Sequence, residues 1–270
     1  MECKMDIACR QMLNECVARF RELHIEEQID FDKFYLYSIV THSTAIEGST
    51  VTERENALMF DDGILPAKRN LTEQLMNLDL KRAYEKAFAL FDGERDITVQ
   101  DLQMLSAAAM KNTGSEYHTV LGTFDSSEGD LRLVNVSAGR GGKSYLAWQK
   151  VPAALEQFCQ WLNKCRKQLT TLDAAAQYEA TFEAHYRLVQ IHPWADGNGR
   201  TSRLVMNAVQ KEQNRLPAIV RREHKGAYIA ALEASEDAGG SKPFIDFMGR
   251  EMAAYYRECI EEYERTAGQI

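Results

Sequence analysis

Apolar residues recur at spacings of three and four over most of this chain, the period of helices that bury one face. Met5, Cys9, Met12, Leu13, Cys16 and Phe20 form one such stripe, and Phe31, Phe34, Tyr35, Ile39 and Ile46 a second, stopped by Gly48. "TERE" at 52–55 reads as a capping box that opens a short third helix. "LTEQLMNLDLKRAYEKAFALF" predicts a long helix to Phe91, and "TVQD" at 98–101, with Asp in place of Glu, opens another to about Met110.

The texture then changes. "LRLVNV" and "KSYLAW" flank a glycine-rich stretch, which predicts a β-hairpin over about 131–148. Its turn, "SAGRGGKS", nearly spells a phosphate-binding loop. Ser137 stands where the first glycine belongs, and the following "SYLAWQKVP" is strand-like rather than the start of a helix, so a hairpin turn is the better reading. Helices resume with "PAALEQFCQWLNKCRKQL", whose Pro152 suits a first turn. In the next, Tyr178, Phe182, His185 and Val189 mark a buried face. Further helices are expected from about Arg200 to Asn214, at 225–235 and at 243–263. The fold class is therefore mainly α, a helical bundle with one β-hairpin insert.

Composition changes this picture little. In 270 residues, 45% are hydrophobic, with 5 prolines and 16 glycines, enough for a sizeable core and too few breakers for a disordered chain. A net charge of −8 argues against nucleic acid or an anionic membrane as partner, so any anion site must be local. The 6 cysteines, Cys3, Cys9, Cys16, Cys159, Cys165 and Cys259, form no C-x-x-C pair and read as reduced core thiols of a cytoplasmic protein. The first residues have no signal-peptide pattern, and no run of 18 apolar residues occurs.

The candidate chemistry is concentrated in "HPWADGNGRTSR", residues 192–203. The first amides of a helix lack internal partners and sit at the positive end of its dipole. Gly197 and Gly199 let that backbone approach a ligand closely. Together they make a pocket for an anion such as phosphate. Arg200 and Arg203, about one turn apart, suit phosphate oxygens. Asp196 is a candidate Mg²⁺ ligand beside phosphates, and His192 a candidate proton acceptor. The set fits phosphoryl or nucleotidyl transfer.

The stretch closely resembles the Fic signature H-P-F-x-[D/E]-G-N-G-R-x-x-R, with Trp194 in place of the phenylalanine as a core anchor. The resemblance implies a Fic-type core over 96–250, an N-terminal helical region 1–95 and a C-terminal helix extension 251–270, forming one compact unit. It implies transfer of AMP from ATP to a Ser, Thr or Tyr hydroxyl of a target protein. By that match His192 deprotonates the hydroxyl and Asp196 holds Mg²⁺. Gly197, Asn198 and Gly199 form the anion hole, and Arg200 and Arg203 hold the β- and γ-phosphates. Doc-type kinases, which resemble Fic, carry lysine at the position of Gly199, so the glycine favours AMP transfer. In similar proteins the hairpin is a flap that pairs with the target by β-augmentation, and Tyr228 lies where an aromatic approaches the adenine.

A glutamate, Glu47, closes the second predicted helix, where the dipole disfavours it by about 0.3–1 kcal/mol unless a cation offsets it. Ser43, Glu47 and Gly48 match [S/T]-x-x-x-E-[G/N], the inhibitory helix of Fic proteins, here within about 31–48. That resemblance implies that Glu47 pairs with Arg203 and obstructs the γ-phosphate, in a class whose members often self-associate as homodimers. The expectation is an autoinhibited protein AMP transferase. Removal of AMP, transfer of another nucleotide or of phosphocholine, and a non-catalytic nucleotide-binding module are the alternatives.

Overall fold

The computed structural model describes residues 4–28, 31–93, 95–138 and 144–267. Helix α1 (Ile7–Glu22) starts where the Asp6 carboxylate accepts from the amides of Ala8 and Cys9, and it buries Cys9, Leu13, Cys16, Val17 and Phe20. A π-helical stretch (Phe31–Tyr35) runs into α2 (Leu36–Ile46). Its wider turn moves the side chains out of the 3.6-residue phase. Phe34, expected on the buried face, is 65% exposed, while Tyr35, Leu36, Ile39 and Val40 turn inward; the side chain of Phe31 lies outside the described residues.

Both expected capping boxes form, Thr52 with Glu55 at α3 (Glu53–Asp61) and Thr98 with Asp101 at α5 (Val99–Met110). Between them runs α4 (Leu71–Leu90), capped by Asn70. The remaining helices are α6 (Val151–Leu169), α7 (Ala174–Ile191), α8 (Asn198–Glu212), α9 (Lys225–Asp237) and α10 (Lys242–Ala267).

The hairpin differs from the expectation. The antiparallel pair is β1 (Glu116–Thr119) with β2 (Gly122–Asp125), in the register Glu116↔Asp125 to Thr119↔Gly122. Val120 and Leu121 form its turn, without the Asn-Gly or Asp-Gly signature that marks such turns in sequence. Over 131–148 the described pairing is a single antiparallel bridge, Ser137↔Ser144, and one bond from the Tyr145 amide to the Val136 carbonyl. The ladder goes no further because its groups are used elsewhere. The carbonyls of Val134 and Leu146 accept from the Arg132 guanidinium, and the Trp148 amide donates to the Asn135 side chain. Residues 139–143, the glycine-rich turn, lie outside the described residues.

Helices α7 and α8 form the centre: they pack on each other, α7 also on α1, α6 and α10, and α8 on α4, α5 and α2. Two polar side chains of α8 bond to neighbouring elements. Asn207 donates to the Tyr84 hydroxyl and Gln210 to the Thr181 hydroxyl, while Gln210 accepts from the Ala218 amide. Cys9, Cys16, Cys159 and Cys165 are buried free thiols and Cys259 a half-buried one; Cys3 lies outside the described residues. Among the described residues no helix is long and apolar enough to cross a membrane.

The last turn of α2 is fastened by a buried amide. Asn77, fully buried, donates to Ser49 Oγ (3.0 Å) and accepts from Thr44 Oγ1 (2.9 Å) and Asn56 Nδ2 (2.8 Å). Truncating one member leaves the others unpaired in the interior, a loss of about 1–3 kcal/mol. Asn77→Ala is therefore expected to lower the urea unfolding midpoint by that free energy divided by the m-value, with the m-value itself unchanged. An unaltered midpoint would show that α2 does not depend on this network.

Candidate active site

The loop 192–197 joins the two central helices, and its sequence prevents either from continuing. Pro193 cannot extend α7, and His192 ends it in the left-handed region (φ 50°, ψ 62°), donating its amide to the Leu188 carbonyl. That conformation costs a non-glycine residue about 1–3 kcal/mol and persists only where surroundings enforce it. Here they do. Trp194, fully buried, donates its indole N–H to the Gly129 carbonyl, and the Asn198 amide side chain bonds both the N–H and the C=O of Trp194. The Asn198 side chain thus braces the loop, leaving its main-chain N–H for a ligand.

Gly197 caps α8 at φ 81°, with Met110 atoms 2.7–2.8 Å from where a Cβ would stand, so a side chain is excluded twice over. Intrahelical bonding begins with the Thr201 amide on the Gly197 carbonyl, which leaves the amides of Asn198, Gly199 and Arg200 without a partner in the helix. A Cβ on Gly199 would lie 3.0 Å from Glu47 Oε1 and 3.1 Å from Arg203 Nη1. The Glu47 carboxylate therefore rests against the first turn of α8, where an anion is favoured.

Arg203 holds it there. Nη2 donates to Glu47 Oε1 (2.6 Å) and the Ser43 carbonyl (3.0 Å), Nε to Ser43 Oγ (2.8 Å), and Nη1 to the Tyr228 hydroxyl (3.4 Å). Burial works against the charge on Glu47, but the charge and hydrogen bond of Arg203 hold its carboxyl below the usual range. Gly48 follows at φ 104°. Arg200 turns away from this pair: its guanidinium lies 3.4 Å from both Thr113 Oγ1 and Asp196 Oδ1. Tyr228 is 2% exposed and shares its hydroxyl with His185 Nε2 (2.9 Å), so it supports Arg203 rather than offering an open aromatic face.

A pocket of about 360 Å³ gathers Glu47, His192, Asp196, Gly197, Asn198, Gly199, Arg203 and Tyr228, with Tyr145 and Lys225 beside them. A larger cleft, about 680 Å³, lies between α1, α2 and the far end of α8, remote from these groups. Asp196 Oδ1 accepts from the Gly197 amide (2.6 Å), and its side chain is 56% exposed at the pocket mouth. Among the described residues no three His, Cys, Asp or Glu side chains could hold a metal by themselves. A single exposed carboxylate facing a phosphate pocket nonetheless suits Mg²⁺, which keeps several waters and shares its shell with substrate phosphates.

Residues 96–210 match the sequence model of the Fic/DOC family. Over this segment the chain is similar to the Fic/DOC family. The Protein adenylyltransferase fic-1 of Caenorhabditis briggsae is 25% identical over 242 residues, covering 88% of the chain and 44% of that protein. The Protein adenylyltransferase Fic of Drosophila melanogaster is 29% identical over 212 residues, 77% of the chain and 39% of that protein. The chain thus spans less than half the length of these curated relatives. A Fic domain containing signaling protein from Bacteroides thetaiotaomicron superposes with a TM-score of 0.77 at 17% identity, over 94% of this chain and 97% of that one. Fic-1 (aa134–508) from Caenorhabditis elegans gives 0.74 at 22%, over 96% and 74%. These structures establish the Fic fold for almost the whole chain.

Three residues near the Fic motif had no motif to announce them. Tyr145 stacks on the His192 imidazole, ring centroids 3.8 Å apart and 15° from parallel. Arg132 donates Nε to the His192 carbonyl (2.7 Å). His185, fully buried under Tyr228, is held neutral by burial and by Arg203. The lone arginine within "LRLVNV" was the one available signal.

Burial lowers the His192 pKa to about 4, against the bond to the Val189 carbonyl. A free imidazole titrates near 6.5. The unfolded chain therefore binds this proton first as the pH falls, and His192 adds stability above about pH 6.5 that is lost on descending toward about 4. The NMR titration of its ring is expected to have its midpoint near 4. His192→Asn should flatten the pH dependence of unfolding across that window. A midpoint near the free value would mean that the ring is not enclosed.

Proposed function

We propose that this protein transfers AMP from ATP to a hydroxyl side chain of a target protein, with Mg²⁺, and that Glu47 restrains it. The observation that carries this reading is the position of the Glu47 carboxylate. It rests on the first turn of α8, bonded to Arg203, in the pocket that also holds His192 and Asp196. A helix N-terminus with an arginine behind it is a phosphate site, and a carboxylate there competes with phosphate. The adenylyltransferase names of the relatives support the same chemistry.

In this reading the amides of Asn198, Gly199 and Arg200 and the Arg203 guanidinium receive the phosphates, and Tyr228 and Ser43 keep that guanidinium aimed. Asp196 would hold Mg²⁺ at the mouth, and that ion would supply charge withdrawal from the reacting phosphate. His192 is neutral at physiological pH and so able to accept the proton of the target hydroxyl. Phosphates beside the imidazole favour its protonated form and raise its affinity for that proton. The hydroxyl oxygen bonds the α-phosphorus, the α–β anhydride bond breaks, and pyrophosphate leaves. The segment 131–148 presents the target, since Tyr145 of that segment already touches His192.

Glu47 and Arg203 differ in freedom: their side chains are 32% and 3% exposed. The arginine is the fixed half and the glutamate the half that yields. Glu47 and His192 also line one pocket, which favours a second reading, hydrolytic removal of AMP with Glu47 orienting the water.

Wild type, Glu47→Gly and His192→Ala are to be incubated with Mg²⁺ and α-labelled ATP and followed by self-labelling and intact mass. Weak, strong and absent incorporation of AMP are expected in that order. Equal labelling of wild type and Glu47→Gly would remove the restraint from the reading, and ATP binding without label in Glu47→Gly would replace it with a nucleotide-binding module. Release of AMP from a modified target, lost in Glu47→Gly, would favour the hydrolytic reading.

A further inference from the structure

Arg132 is 1% exposed, and none of its hydrogen-bond acceptors among the described residues is a carboxylate. Its guanidinium donates Nε to the His192 carbonyl (2.7 Å), Nη1 to the Val134 carbonyl (2.7 Å), and Nη2 to the carbonyls of Leu146 and, at 3.5 Å, Ile191. Its main-chain N–H donates to the Pro193 carbonyl (3.0 Å). A buried cation without a counter-ion is normally unfavourable. Here the negative end of the α7 dipole compensates it, since Ile191 and His192 are that helix's last carbonyl-bearing residues.

The acceptors fall into two groups. Ile191, His192 and Pro193 form the turn in which the His192 backbone is left-handed; Val134 and Leu146 lie on the two arms flanking the Ser137↔Ser144 bridge. One planar fork thus ties the backbone of the proton acceptor to both arms of the segment beside the pocket. The same segment returns to the imidazole through the Tyr145 ring. The turn and the arms are consequently fixed to each other at two points, one on the His192 backbone and one on its ring.

We infer that Arg132 is a positioning residue that makes the 131–148 arms and the His192 turn one mechanical unit, so that a target engaged by the arms is registered to the proton acceptor. The inference rests on the transferase reading for its consequence, but its geometry can be tested without it. Lysine has the charge but not the fork, and reaches one carbonyl where arginine reaches several.

In the Glu47→Gly background, Arg132→Lys is expected to stay folded and to bind Mg²⁺ with the ATP analogue AMPPNP within about twofold of the parent, because the phosphate site lies on α8. Its kcat for AMP transfer should fall about 100-fold, the effect of misplacing a catalytic group by an ångström. Carbethoxylation of His192 by diethyl pyrocarbonate, read by peptide mass, should accelerate several-fold as the ring is uncovered. A folded variant with unchanged kcat and unchanged carbethoxylation overturns the inference, as does equal loss of nucleotide binding and rate. Hydrogen exchange in the unmutated protein supplies an arm that needs neither the variant nor any activity. The amides of Arg132, Tyr145 and His192 should exchange through one common opening, and independent openings overturn the inference. If Glu47→Gly transfers no AMP at all, the transferase reading fails, and exchange and carbethoxylation alone decide the role of Arg132.

Discussion

A guanidinium buried to 3% of its surface at the start of α8 sets the terms for the rest of the molecule. Arg203 cannot shed its proton, and an unpaired charge in the interior is untenable. The chain supplies acceptors from two directions. The last turn of α2 gives the Ser43 hydroxyl, the Ser43 carbonyl and the Glu47 carboxylate, and α9 gives the Tyr228 hydroxyl. The position of α2 follows from this need, and the Asn77 network fastens the same turn from behind, through Thr44 and Ser49. Glu47, disfavoured at the end of its own helix, becomes favoured because it lies against the beginning of another.

Not all of those acceptors are equally held. Ser43 and Tyr228 are buried, whereas the Glu47 side chain is a third exposed. Any group that takes the place of Glu47 must be an anion, since Arg203 would otherwise be left short of charge compensation. It must also suit partnerless backbone amides. A phosphate meets both requirements. The absence of a side chain at Gly199 has the same root: with the pair closed, a Cβ there would already be 3.0 Å from Glu47 Oε1.

Helix periods, both capping boxes and the order of the site residues were legible in the sequence because each is a local rule, enforced within four or five positions. Even the Glu47–Arg203 pairing, 156 positions apart, was accessible, since a glutamate at a helix C-terminus lacks a cation and the resemblance supplied one. What failed has separate physical causes. The strand pairing expected over 131–148 rests on two β-prone runs flanking a glycine-rich stretch, and these do not show that Arg132 claims two of the carbonyls a ladder would need. The real hairpin is hidden because its Val120–Leu121 turn lacks the Asn-Gly or Asp-Gly pair that marks such turns. Phe34 was misplaced because a π-helical stretch breaks the helical phase, and nothing in its composition marks one. Arg200 is expected to share the pocket with Arg203, three positions further along the same helix face, yet its guanidinium lies against Thr113 and Asp196 instead.

The two arginines that matter most therefore work in opposite ways. Arg203 is compensated by a carboxylate, so its environment changes whenever an anion is exchanged for Glu47. Arg132 is compensated by carbonyl dipoles of the backbone, which have nothing to dissociate. A charge held by a removable counter-ion is suited to respond to a ligand, and a charge held by main-chain dipoles is suited to keep a geometry constant. His192 stands between them, its carbonyl on the constant side and its ring open to the responsive one. A strained left-handed residue placed there keeps its aim while the anion site beside it changes occupant. The backbone of the loop between α7 and α8 is thus held by Arg132, by the Trp194–Gly129 bond and by the Asn198 side chain, contacts that do not involve the Glu47–Arg203 pair.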